Sequence, residues 1–312
     1  MAKIRLGLLM GGDSTERQVS LDSGKNVLAG LDPERYQTTV FDPAVDLARL
    51  VDEAPNLDVV FPVLHGAAGE NGSIQGFLSL LSLPYVGSGV LASATCLDKK
   101  AAKEVYRLNG LPVAPDCVLS RQSTLEENLA AIEKSVGYPV VVKPLDQGSS
   151  VGLTICPTAS EAPTALTAAF LICELALAEK YLKGRELTVA VLGNDRPRPL
   201  PPIEIIPAQG HEFFDYVAKY APGQAQEICP APLTPAETQE VKRLGLLAHQ
   251  TLGCRGLSRT DFIYSEGTFY LLETNTLPGL TENSLLPKAA LADGLSFTAL
   301  LDSLVDLALD LD

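Results

Sequence analysis

The chain has 312 residues, 46% hydrophobic and 20% charged, enough apolar material for two or three packed domains. Its formal net charge of −14 argues against a nucleic-acid partner, whose phosphates call for Lys and Arg, and against an anionic membrane surface. There is no signal-peptide core near the N-terminus and no apolar run of about 18 residues, so a cytoplasmic protein with no membrane partner is expected.

Six scattered cysteines without a C-x-x-C pair, and three widely spaced histidines, predict neither disulfides nor a structural zinc site. Residues 3–10 read as a buried strand ending at Gly11-Gly12. A polar turn, Asp13 to Glu16, then opens a helix with apolar positions at Val19, Val27, Leu28 and Leu31. Tyr36–Phe41 and Val59–Leu64 are further strands, and this strand–helix–strand order predicts a parallel sheet. Ligands of such sheets gather at the carboxyl ends of the strands. Glu16 and the glycine-rich turn His65–Gly72 fall there, with His65 and Glu70 as candidates; Glu16 also suits a helix start, where the macrodipole favours an acid.

Gly87 to Ala92 (GSGVLA) matches a G-x-G-x-x-A dinucleotide pattern. The acid that should close the next strand is replaced by Ser120-Arg121, so the glycines read as turn and packing residues rather than a nicotinamide site. Asp98 to Asn109 reads as a helix capped by Gly110. Lys100 and Lys103 are assigned to its solvated face, whereas Lys99, a cation at a helix start, implies a nearby anion. A helix over Thr124–Val136 and a β-branched strand, Val140–Val142, precede Lys143-Pro144. The loop DQGSSVG (146–152) has small residues whose amides can fold over phosphate oxygens, with Ser149 and Ser150 as extra donors, although no Walker A sequence occurs. A helix is predicted over Thr164–Leu177. Glu179 and Glu186 then bracket a segment suited to a nucleoside, and Leu187–Leu192 and Ile203–Ile206 read as strands. Residues 207–232 form a long irregular segment with Phe213, Phe214, Tyr216, Lys219 and Tyr220, a candidate lid. Helices are predicted over Pro235–Leu252 and Ser296–Leu311.

Between these helices lies the densest polar pattern, RTDFIYSEGTFYLLETNTLPGLTENSL (259–285). Two strand-like runs flank a Ser265-Glu266-Gly267 break. Arg259 and Asp261 share one face of the first, Glu273 and Asn275 one face of the second. An odd-length loop would bring Asp261 opposite or diagonal to Glu273; a two-residue turn would separate them, barring a bulge. Two carboxylates and a carboxamide on one surface suit a hard cation such as magnesium, its remaining positions filled by water and phosphate.

Taken together, the chain resembles the D-alanine–D-alanine ligases of the ATP-grasp superfamily. The resemblance runs through MGGDSTERQVSLDSG (10–24), HGAAGENGSIQG (65–76), KPLDQGSSVG (143–152), KGRELTVAVLG (183–193), FDYVAKY (214–220), RTDF (259–262) and LLETNTLPGLTENSL (271–285). It implies an α/β, three-domain ATP-grasp architecture. An N-terminal parallel-sheet (Rossmann-like) substrate domain would span 1–95, a central ATP-grasp subdomain 96–183, and a C-terminal catalytic domain 184–312, with ATP gripped between the last two. By the same resemblance Lys99, Lys143, Ser149, Ser150 and Lys219 hold ATP phosphates, Glu179 and Glu186 sit with the adenosine, and Asp261, Glu273 and Asn275 bind two magnesium (or manganese) ions. Glu16, Ser149 and Tyr220 surround the first D-alanine's ammonium, with His65 near the same subsite. Arg259 and the Gly279 N–H meet the oxyanion of the tetrahedral intermediate, and Ser284 and the Leu285 backbone clamp the second substrate's carboxylate. Homodimer assembly is implied as well.

The implied reaction passes ATP's γ-phosphoryl group to one D-alanine carboxylate, after which a second D-alanine attacks the acyl phosphate. The Lys219-Tyr220 pair favours an amine acceptor over D-lactate. Asn71 and Ala67 depart from the family's usual residues at the first subsite. The rival readings are a D-alanine–D-lactate (or other D-Ala–X) ligase, another ATP-grasp carboxylate–amine ligase, and a nucleotide-binding protein without catalysis.

Overall fold

The computed structural model describes residues 2–148, 151–207 and 225–310. Among them the strands form three sheets. The first, in the order β2-β1-β3, is parallel and comprises β1 (Ile4–Leu9), β2 (Tyr36–Phe41) and β3 (Val59–Pro62). The helix Arg17–Gly30 connects β1 to β2, as a parallel pair requires. The apolar stripe of the helix Phe297–Ala308 (Leu300, Leu301, Leu304, Val305) joins the same core as Leu6, Leu8 and Val27. Fully burying one such side chain is worth about 1.5–3 kcal/mol. Tyr36 Oη donates to Asp302 Oδ1 at 2.6 Å, tying the late helix to the edge strand.

The second sheet, β4-β7-β5-β6, is antiparallel: β4 (Asp116–Ser120), β5 (Val140–Pro144), β6 (Thr154–Cys156) and β7 (Leu175–Lys180). Helices Leu125–Ser135 and Ala162–Phe170 supply its apolar cover. A capping box starts the first: the Thr124 hydroxyl accepts from the Glu127 N–H, and the Glu127 carboxylate accepts from the Thr124 N–H. The helix predicted over Thr164–Leu177 stops at Phe170, and Leu175–Leu177 belong to a strand. Ala176, Leu177 and Ala178 are buried on both faces of an inner strand, so the segment carries no alternation to distinguish it from a helix.

The third sheet runs β11-β10-β8-β12-β13, with β9 (Arg198–Pro199) on β8: β8 (Arg185–Leu192), β10 (Ile203–Pro207), β11 (Ala225–Ile228), β12 (Leu257–Ser265) and β13 (Thr268–Asn275). Helices Pro235–Thr251 and Lys99–Leu108 share a core with Leu187, Val189, Phe262 and Leu271 of this sheet. Lys103, assigned above to a solvated helix face, is instead fully buried. It lies with Lys99, Ala102 and Tyr106, all buried, at the i, i+3, i+4, i+7 spacing of one helical face.

Candidate active site

The β12–β13 hairpin brings the predicted cation ligands together by a route that the sequence left open. Ser265 pairs with Thr268, so the loop has two residues, Glu266 and Gly267, both at positive φ (50° and 81°). Those are the angles of a type I′ turn, which matches the twist of the strands. A plain ladder from that turn would put Leu272 opposite Asp261. A bulge between Asp261 and Phe262 shifts the register by one residue, so that Asp261 faces Glu273 and Arg259 faces Asn275.

Asp261 is held firmly. Its Oδ1 accepts from the Thr188 hydroxyl at 2.6 Å and from Arg259 Nε at 2.9 Å, and its Oδ2 accepts from Arg259 Nη2 at 2.8 Å. Asn275 Oδ1 accepts from the Leu277 N–H at 2.8 Å, which fixes the carboxamide at the end of β13. Among the described residues no group of three or more His, Cys, Asp or Glu side chains gathers as a metal cluster. The donor set is two carboxylates and a carboxamide, and it suits magnesium, which takes few protein ligands and completes its shell with water and phosphate.

Two lysines face this hairpin. Lys99, the first residue of its helix, lies 3.5 Å from Glu273 and donates to the Gln147 carbonyl at 2.6 Å. Burial lowers its pKa, Lys143 adds to the lowering, and Glu273 opposes it. Lys143 donates to Glu179 Oε1 at 2.5 Å. Burial alone would depress its pKa, but Glu179 and Glu273 outweigh burial and hold it above the ordinary lysine value. Glu179 is buried as well, which would raise its pKa, yet Lys143 and Lys103 bring it down to about 2. Its carboxylate is thus engaged by two ammonium groups, in addition to any adenosine contact the resemblance implies.

At the other end of the cleft the parallel sheet contributes Glu16, His65 and Glu70. Gly66, at φ +84°, lets the chain turn beside Glu16; a Cβ there would meet Ser14 Cβ at 2.9 Å and Glu16 Oε2 at 3.4 Å. Ser14 Oγ donates to the His65 carbonyl at 2.6 Å, and the Gly66 N–H donates to Glu70 Oε2 at 3.1 Å. Burial, and then Arg259, lower the His65 pKa to about 4, so the ring is neutral at pH 7. Burial, and then Glu16, raise the Glu70 pKa to about 8. This carboxyl group is therefore mostly protonated at neutral pH.

The acceptor-side residues follow β13. Asn26 Nδ2 donates to the Leu280 carbonyl at 2.7 Å and ties this turn to the helix that starts after Glu16. Ser284 precedes the helix Leu285–Ala292, and its Oγ accepts from the Thr281 N–H at 3.0 Å, with the Thr281 hydroxyl 2.7 Å away. The Leu285 N–H is one of the amides at the helix start that lack an intrahelical acceptor. A Cβ on Gly279 would stand 2.8 Å from Ser284 Oγ, so glycine keeps this wall open.

Glu16, His65, Glu70, Lys99, Arg259, Glu273, Asn275, Gly279, Ser284 and Leu285 line one cleft of about 460 Å³, within the range of small-molecule sites. Lys99 and Glu273 also border an adjoining cleft with Lys143, Glu186 and Asp261. Ser149, Ser150, Lys219 and Tyr220, together with the aromatics at 213, 214 and 216, lie outside the described residues. The dinucleotide-like glycines fall elsewhere: Gly87 packs against Leu277, and Ser88 Oγ accepts from the Arg255 N–H at 3.1 Å.

Glu70 was a candidate from the sequence; three contributors were not: Lys103, which was assigned to a solvated face, Thr188 and Thr281. Lys103 was the most findable, since its helical spacing with Lys99 puts both on the buried face. Thr188 and Thr281 gave no signal beyond being hydroxyls near charged residues.

The family described as D-ala D-ala ligase C-terminus matches residues 105–306, and D-ala D-ala ligase N-terminus matches 43–88. A D-alanine–D-alanine ligase of Syntrophobacter fumaroxidans is 47% identical over 308 residues, spanning 99% of this chain and 98% of that protein. Among solved structures, a Bacillus anthracis D-alanine–D-alanine ligase complexed with ATP superposes with a TM-score of 0.86 at 33% identity, covering 99% of this chain and 98% of that one. The VanG D-Ala:D-Ser ligase of Enterococcus faecalis gives 0.85 at 29% identity, covering 98% of this chain and 100% of that one.

Proposed function

The chain belongs to the D-alanine–D-alanine ligase family, and from that membership we propose how its residues divide the ATP-dependent joining of two D-alanines. The activity is that of an ATP-grasp carboxylate–amine ligase working through a D-alanyl phosphate, and its dipeptide serves bacterial peptidoglycan synthesis. The observation that carries the assignment of residues is the bulged hairpin, which sets Asp261 opposite Glu273 with Lys99 at 3.5 Å.

The first step brings two anions together, a triphosphate and a carboxylate, so charge must be neutralised before positioning helps. Lys99 and Lys143 take phosphate oxygens, with Ser149, Ser150 and Lys219 completing the cover, and Glu179 and Glu186 sit with the adenosine. Asp261, Glu273 and Asn275 would hold two magnesium (or manganese) ions, which supply further neutralisation of the phosphates when bound. Glu16, with Ser149 and Tyr220, holds the first D-alanine's ammonium, and neutral His65 borders that subsite without adding charge.

In the second step, the neutral amine of the other D-alanine attacks the acyl carbon. The oxyanion that forms is met by Arg259 and the Gly279 N–H; as it collapses, the bond from the acyl carbon to the phosphate oxygen breaks, and phosphate leaves with the proton that the amine gives up. Ser284 and the Leu285 N–H clamp the acceptor carboxylate at a helix start, where the dipole favours an anion. The 207–232 segment excludes water that would hydrolyse the acyl phosphate. We further propose domains at 1–95, 96–183 and 184–312, a homodimer, and a cytoplasmic location. Among the described residues no helix is long and apolar enough to cross a membrane.

The test is ATP-dependent phosphate release with D-alanine alone, then with D-lactate or D-serine offered as acceptor. Release with D-alanine, and clear preference for it as acceptor, is expected. Turnover of another amino acid without D-alanine activity would sink the substrate assignment.

A further inference from the structure

Lys103 is a fully buried cation whose task the reaction outlined above leaves open. It lies one helical turn after Lys99, and its ammonium sits 2.7 Å from Glu179 Oε2 and 3.3 Å from Asp116 Oδ2. The other Glu179 oxygen, Oε1, accepts from Lys143 Nζ at 2.5 Å. Asp116 and Glu179 face each other across the β4–β7 ladder, and Arg107 closes on Asp116 from the surface side. One carboxylate thus holds two lysines, one on each oxygen. Lys103 Nζ and Glu179 Oε2 form a short, buried ion pair.

Burying such a cluster is a poor way to gain stability. Desolvating each ion costs several kcal/mol, and well-packed apolar residues of similar volume often stabilise as much or more. Its geometry explains it better. An ammonium has three donors, and a carboxylate free to turn would chelate Lys143 through both oxygens. With Oε2 engaged by Lys103, Glu179 reaches Lys143 through Oε1 only.

We propose that Lys103 is a positioning residue for ATP: it occupies Glu179 Oε2, so that Lys143 keeps N–H donors for phosphate oxygens. This rests on the assignment of Lys143 to the ATP phosphates.

Steady-state kinetics of purified Lys103→Met tests it. The KM for ATP should rise about tenfold, the order of one lost hydrogen bond to a charged group, while both D-alanine KM values stay within roughly twofold and kcat falls less than KM rises. Lys103→Gln, which keeps an N–H for Glu179 Oε2, should recover at least about threefold of the ATP KM relative to Lys103→Met, a rescue that a lysine needed only for its buried charge does not predict. An unchanged ATP KM, ATP and D-alanine constants moving together, or no rescue each overturns the proposal. Lys143→Met is the control: if it leaves the ATP KM unchanged, the phosphate assignment itself has failed, whereas a large effect there with none at Lys103 rejects only the inference. Should Lys103→Met not fold, Lys103→Gln is measured against the wild type in the same way. Failure of both to fold assigns Lys103 to core stability and overturns its role toward ATP.

Discussion

The two ends of the cleft bury carboxyl groups to similar effect and drive them to opposite charge states. At the phosphate end Glu179 lies between Lys143 and Lys103 and is held ionised, its pKa near 2. At the amino end Glu70 has Glu16 beside it, with one backbone amide and Arg259 in partial compensation, and its pKa rises to about 8. Desolvation raises both; the nearest charge decides the outcome. The difference suits the chemistry proposed for each end. A triphosphate needs cations whose charge is maintained, whereas an ammonium substrate beside Glu16 needs no second full charge crowding that carboxylate.

The same contrast gives opposite signs in stability against pH. Glu179, depressed from its ordinary value of 4.5, contributes stability above that value and loses it as pH falls toward about 2. Glu70, raised from 4.5 to about 8, contributes stability that is fully present below 4.5 and lost as pH rises through about 8.

The sharpest way to break the comparison is at the phosphate end. Glu273→Gln should lower turnover by about 10³-fold, the scale of one well-placed electrostatic group, with the melting temperature little changed. Activity near wild type would mean that the cation assignment is wrong. Next, Thr188→Val removes the 2.6 Å hydrogen bond that aims Asp261. It should cost roughly tenfold in kcat/KM, as expected for a hydrogen bond to a charged acceptor, read by phosphate release. At the amino end, Glu70→Gln should flatten the change in the first D-alanine's KM between pH 7 and 9 and abolish the fall in melting temperature across that range, a difference of a few degrees (about 2–4 °C per kcal/mol). A wild-type profile that is already flat would overturn the neutral state of Glu70. The smallest effect is expected for Thr281→Val, which frees Ser284 Oγ from a neighbouring hydroxyl. The acceptor KM should rise only about threefold, the scale of a neutral hydrogen bond, with the first D-alanine's KM unmoved.

Much of the amino end was legible because its signals are local: a strand followed at once by a glycine-rich turn that carries His65 and Glu70, and Glu16 at the start of a helix. The hairpin was legible only as a choice. Nothing in Leu271-Leu272 announces a bulge, because the register shift is a property of pairing with β12 rather than of composition. Lys103 was misread because it was judged by residue type rather than by its place in the helical period beside Ala102 and Tyr106. The β7 strand was misread as helix because an inner strand buried on both faces has no alternation to show. The pairing of Glu179 with two lysines joins a helix and two strands distant in sequence, and no local spacing carries it.

The helix Phe297–Ala308, which packs on the N-terminal parallel sheet, has a consequence for synthesis. Tyr36 meets Asp302 266 residues later in the chain, and Leu6 and Leu8 share a core with Leu300 and Leu304. The sheet that carries Leu6, Leu8 and Tyr36 therefore exposes an apolar face during synthesis until the helix Phe297–Ala308 has been made. Contacts of such sequence separation form late and leave surface open to aggregation meanwhile. A nascent chain arrested before about residue 297 should bind chaperones through its N-terminal third, even though the turns carrying Glu16 and His65 have already been made.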